Sequence, residues 1–152
     1  MGSAQMTDFM RNTLIDHVFR GTQWTKPSSL QILLYTANPT HTGTDGTRVN
    51  TTGCLSGGRV ALFPTSGNWY STNGQTTVGL STGVTAGGGT TGNATAIVFG
   101  TPGANWGTVT GFSIEDQVPN ILIWDALTNP KTVNNGDPAP SFPANALQVT
   151  FS

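Results

Sequence analysis

With 152 residues, 9% of them charged and a net charge of −1, the chain has the length of one domain but far less than the roughly 25% charge of typical soluble domains. Thr, Asn, Ser and 20 Gly replace the charge, while four Trp and seven Phe supply anchors for a core, which argues against charge-driven disorder. Six scattered basic residues exclude a nucleic-acid stripe, no apolar run reaches the roughly 20 residues of a membrane span, and the lone Cys54 excludes an internal disulfide framework.

The chain opens on its one helical pattern, about residues 7–20. Met10, Leu14 and Val18 recur at i, i+4 and i+8, with Ile15 and Phe19 widening the stripe. Thr7 or Asp8 suits the start, Arg20 the C-terminal dipole and Gly21 the position just beyond it. Asp8, Arg11, Asp16 and Arg20 break up the apolar residues, so this stretch lacks a secretory hydrophobic region. The ordinary expectation for such a stripe is packing on the chain's own sheet. The sharper one is docking on a neighbouring subunit.

From residue 28 to 152 the pattern is that of strands, and the whole chain reads as a single domain. Leu30 to Ala37 is apolar enough for a central strand, and Arg59 to Pro64 gives a shorter one. Residues 38–47 are dense in turn formers, and the Gly/Thr-rich stretch 74–93 reads as an exposed hairpin or loop. Ala94 to Phe99, Gly107 to Ile114, Asn120 to Leu127 and Ala146 to Phe151 complete the set. Short strands at this spacing predict a mainly β fold, an antiparallel β-sandwich or barrel carrying one N-terminal α-helix.

No catalytic or metal-binding constellation emerges, and the expectation is a protein without enzymatic activity, cofactor or metal. His17 and His41 have no partner at metal-ligand spacing, and Cys54 sits among Gly and Ser with no assigned base. Glu115, Asp116 and Asp125 invite a glycosidase reading, because paired carboxylates cleave glycosides. Glu115 and Asp116, however, end a strand before a turn, where acids serve turn geometry. The aromatics Trp24, Trp69, Tyr70, Trp106 and Trp124 could stack on sugar or fill a core or interface; Trp124 reads as core, and Trp69 and Tyr70 as exposed.

The run from Asn105 to Asp116, NWGTVTGFSIED, resembles a segment of small tailed-bacteriophage proteins of the tail-fibre-like or capsid-decoration-like kind. Trp124 to Asp137, Phe142 to Leu147, His17 to Gly21, Trp24, Pro27 and Leu30 to Thr36 extend the resemblance in the same order. The middle, Thr51 to Asn93, matches loosely. There Cys54-Leu55-Ser56-Gly57-Gly58-Arg59 stands where such proteins carry an aromatic-rich run.

The resemblance implies a non-enzymatic virion part, on the capsid surface or tail, assembled in the host cytoplasm. Its leading form is a capsid cement or decoration protein, a homotrimer bound to the major capsid protein. The alternative is a tail or tail-fibre component that contacts the host receptor and binds glycan. Expected partners are copies of itself and capsid or tail proteins, with no nucleic acid and no membrane. Phe9, Arg11, Arg20, Trp24, Trp69 and Tyr70 are the candidate interface residues, ranked by amphipathicity and aromatic exposure.

Overall fold

The computed structural model describes residues 5–25, 27, 30–49, 59–65, 68–71, 90–93, 96–116, 118, 120–144 and 146–150, with backbone alone for 59–65, 68–71, 90–92 and 150. Along these run β1 (Gln5–Met6), α1 (Asp8–Phe19), β2 (Leu30–Ala37), β3 (Thr47–Arg48), β4 (Arg59–Thr65) and β5 (Asn68–Ser71). β6 (Thr90–Gly92), β7 (Ile97–Val98), β8 (Gly107–Asp116), β9 (Ile121–Val133), β10 (Ser141–Phe142) and β11 (Gln148–Thr150) follow. The fold is mainly β, with antiparallel sheets and a short helix near the N-terminus, as the sequence leads one to expect.

Among the described residues one sheet takes the order β1-β9-β8-β2-β4-β5, with β3 also pairing β2, and β10–β7 and β11–β6 form separate ribbons. The apolar run of β2 explains its central place. Leu30, Ile32 and Leu34 point to one face and Leu33 and Tyr35 to the other, all buried. On the first face Phe112 and Ile114 of β8 lie opposite Leu34 and Ile32. Ile97, Phe99, Leu147 and Val149, from the two ribbons and their flanks, close over them in a single core cluster. The main sheet and the two ribbons therefore share one core. The second face carries a smaller cluster of Leu33, Tyr35 and Ile121, with Trp124 against it.

Two irregularities in the β8–β9 pair decide which residues face which way. Ile114 pairs Ile123 while Glu115 pairs Ile121, so Leu122 is a bulge residue. Leu122 and Ile123 consequently both join the large core. Further along, Val109 pairs Lys131 and Gly111 pairs Ala126, which leaves residues 127–130 opposite Thr110. Pro130 is tolerated in β9 because it falls within this bulge. Regular alternation would put Val109 on the face opposite Phe112 and Ile114, and across the bulge it shares their core instead. Gly111 is required here, since a Cβ would lie 2.2 Å from Asn38 Oδ1 and 2.7 Å from the Asp125 carbonyl oxygen.

Other expected strands shift at their ends. β9 runs six residues past the expected Leu127 to Val133, while of the expected strand Ala94 to Phe99 the described residues 96–99 contribute Ile97–Val98. Just before it, buried Asn93 pairs its N–H with the Leu147 carbonyl at 3.2 Å and adds its side chain, accepting from the Leu147 N–H at 2.9 Å and donating to the Pro143 carbonyl at 2.8 Å. Of the Gly/Thr-rich stretch, residues 90–92 form β6 and 74–89 lie outside the described residues, as does Cys54.

Candidate assembly surface

α1 begins at Thr7, whose extended backbone and side-chain oxygen cap the N–H of Met10 at 3.3 Å. The same hydroxyl donates to the Ile121 carbonyl, and the Thr7 N–H donates to the Leu122 carbonyl at 3.1 Å. Asp8 N–H reaches the His41 carbonyl at 2.8 Å. The helix is thus fastened at its N-terminal end to the bulge of β9 and to the loop after β2. Gly21, at φ +69°, ends it in the left-handed region, and the Thr22 N–H returns to the Asp16 carbonyl.

Beyond this anchor the helix leaves the body of the molecule. Met10 is partly buried against the large core, but no residue of α1 is fully buried. Ile15 is 47% exposed, Val18 64% and Phe19 80%. Because residues three and four apart share a helix face, these three side chains form one outward patch. The expected stripe therefore splits, with Met10 packed against the core, Leu14 half-buried and Val18 exposed. Phe9, 37% exposed, sits on a different flank. The charges beside the patch are paired within the helix, Arg11 with Asp8 and Arg20 with Asp16 at 3.4 Å. Trp24, half-buried, lies where the following segment turns back, its backbone N–H donating to His17 Nδ1 at 3.0 Å.

On the second face of the sheet lies a polar cluster that sequence reasoning missed. Glu115 is completely buried and accepts hydrogen bonds from Tyr35 Oη at 2.8 Å and Ser113 Oγ at 3.0 Å. Arg48 Nη2 lies 3.0 Å from both of its oxygens, and Arg48 Nε donates to Tyr35 Oη at 3.2 Å. Burial, joined by the Glu115 charge, pushes the Tyr35 phenol above its usual value, against the lowering hydrogen bonds of Ser113 and Arg48. Burial pulls Arg48 down, but its bond to Tyr35 and the Glu115 charge outweigh that and raise it. A legible signal existed: Ser113 and Glu115 stand two apart on either side of Ile114 in β8, so both face the same way.

The three carboxylates of the glycosidase reading do not converge. Glu115 and Asp116 are strand neighbours on opposite faces. Asp116 accepts the N–H groups of Val118 at 3.0 Å and Asn120 at 2.9 Å, shaping the β8–β9 turn. Asp125 sits opposite Phe112 on the core side, where one oxygen takes the Ala126 N–H and the other is buried without a partner. Among the described residues no group of three or more His, Cys, Asp or Glu gathers as metal ligands, and no helix is long and apolar enough to cross a membrane.

A family model described as "Podophage GP4 fiber I protein gp80" matches residues 5–150. The chain belongs to this fibre-protein family. No curated protein matches it. Membership bears out the resemblance to phage virion structural proteins read in Asn105 to Asp116 and the blocks around it. It favours the fibre expectation; nothing in it supports the capsid-cement role that the sequence reading ranked first.

Within this fibre-family chain, the structure brings Phe9, Arg11 and Arg20 together on α1, with Trp24 just past its end. Trp69 and Tyr70 lie elsewhere, on β5 at the opposite border of the sheet, and their side chains are outside the described residues. A concave feature of about 200 Å³ lies between the far half of β9 and the β7–β10 ribbon, with Leu34, Val109, Leu127 and Phe142 among its walls. Lys131 and Asn129 also line it.

Proposed function

We propose that this chain is a structural subunit of a phage tail fibre, that it works as a homo-oligomer and that it performs no catalysis. The family match over residues 5–150 carries the reading. The carboxylates support it from the chemical side: Glu115 is committed to Arg48, Tyr35 and Ser113, and Asp116 to a turn. A fibre part needs a stiff body and adhesive surfaces, and a β body with one shared core and an exposed helix end supplies both. Contact with the host surface, including glycan, is the role such a part would serve. Its partners are copies of itself and neighbouring tail proteins.

Quantitative mass spectrometry of purified virions tests the assignment by counting this chain against the major capsid protein. A few copies per hundred capsid subunits is the expected result. A ratio near one to one would move the chain to the capsid as a cement protein. Absence from the particle would overturn the structural reading altogether and return attention to polysaccharide turnover.

A further inference from the structure

We propose that the outward face of α1, formed by Ile15, Val18 and Phe19, packs against the same face of α1 in a second copy of this chain. The inference rests on the fibre reading and names the partner of that surface. The three side chains expose on the order of 400 Å² of largely apolar surface, a patch size that on soluble monomers is commonly functional. Phe19, at 80% exposure, is the extreme case. Nothing among the described residues requires it to be apolar, because the helix is already fastened by Thr7, Asp8 and Met10. A free 12-residue helix is marginal in water, and packing along its bare face would hold it.

Charge selects the occupant. The patch is bordered by two acids and two arginines, Asp8, Arg11, Asp16 and Arg20, each acid paired to an arginine one turn away. A border carrying both signs in equal number offers no attraction to a strongly acidic or basic partner. It does match a copy of itself, where Asp16 of one helix can meet an arginine of the next. Area then bears on number. About 400 Å² per copy is half of the roughly 800 Å² per partner of a standard specific interface, so one pairwise contact is weak. Three helices around an axis let each copy bury both flanks of its patch, which favours a trimer. The contact is suited to the high local concentration of a fibre.

Sedimentation velocity of the full chain, from micromolar to near-millimolar concentration, reads this directly. Wild type is expected to self-associate reversibly, with trimer as the end state. Val18→Lys and Phe19→Lys are expected to weaken association by about tenfold or more, as loss of a central interface residue does. Both substitutions fall at exposed positions in the C-terminal half of the helix, where lysine suits helix and dipole, so the thermal midpoint of the monomer should stay in place. Phe9→Lys, off the patch, should leave association unchanged. A wild type that stays monomeric throughout, or association that survives Val18→Lys, overturns the proposal. If the wild-type chain is monomeric but Val18→Lys is lost from virions, the occupant is another virion protein and not a second copy. Virion counting of the wild-type chain is unaffected by any of these results, so the fibre reading stands or falls separately.

Discussion

Arg48 and Glu115 show how one side chain can decide whether a strand tolerates a charge. The Glu115 carboxylate is fully buried and relies on three donors, of which only Arg48 brings an opposite charge. Removing one partner of a buried pair costs about 3–5 kcal/mol, because the other is left uncompensated. The Arg48 side chain is 42% exposed, so water softens the loss and Arg48→Met should fall near the low end, about 3 kcal/mol. Chemical denaturation would record that as an earlier midpoint with an unchanged slope. Adding Glu115→Gln should recover part of the loss, since a neutral amide no longer needs a cation. If the single variant were as stable as wild type, the cluster would have to be open to water in solution. Of this cluster, only the Ser113–Glu115 half was legible in the sequence. Tyr35 and Arg48 lie 80 and 67 residues from Glu115, and their approach depends on β8 and β3 both choosing β2 as neighbour. No local pattern encodes that choice.

α1 is an element whose limits were legible and whose orientation was not. The cap at Thr7, the end at Arg20 and the glycine beyond it all follow from side-chain chemistry within a few residues. Which of its apolar residues face inward depends instead on where β9 presents its bulge, and that is a long-range fact. Thr7 joins the two. Its hydroxyl both caps the helix and holds the β9 carbonyls of Ile121 and Leu122. Thr7→Ala should therefore cost about 1–2 kcal/mol, the upper part of the usual capping range. Hydrogen exchange should show the loss concentrated in the amides of residues 8–12, while those of β2 and β8 stay protected. Thr7→Ser should restore most of it. Uniform loss of protection across the sheet would mean that α1 is part of the cooperative core and not a fastened appendage. β9 teaches the same lesson from the other side: Asn129, Pro130 and Lys131 look like the end of a strand. They continue one because a bulge can hold what a regular ladder cannot.

For the molecule as a whole, fold class was legible because alternation and turn residues act locally, whereas sheet order was not. The pairing of β1 with β9, and of β10 with β7, joins segments far apart in the chain, and each is only two residues long. Such short strands cannot hold themselves together and are kept by the core beneath them. Phe142 is the clearest case. Its ring meets Phe99 edge-on at 5.9 Å and Phe112 at 5.4 Å, so one side chain binds the β10–β7 ribbon to the main sheet. Phe142→Ala should cost about 3 kcal/mol, low in the range for core aromatics because the residue is only partly buried. For a chain of this length that lowers the thermal midpoint by roughly 6–12 °C. Calorimetry distinguishes two architectures by the shape of the transition. One sharp transition at lower temperature means that ribbons and sheet share a single core, as the packing of Ile97, Leu147 and Val149 with Ile32 and Ile114 implies. A second, earlier transition would mean that the ribbons open independently, and a fibre body under load would then yield first along that seam.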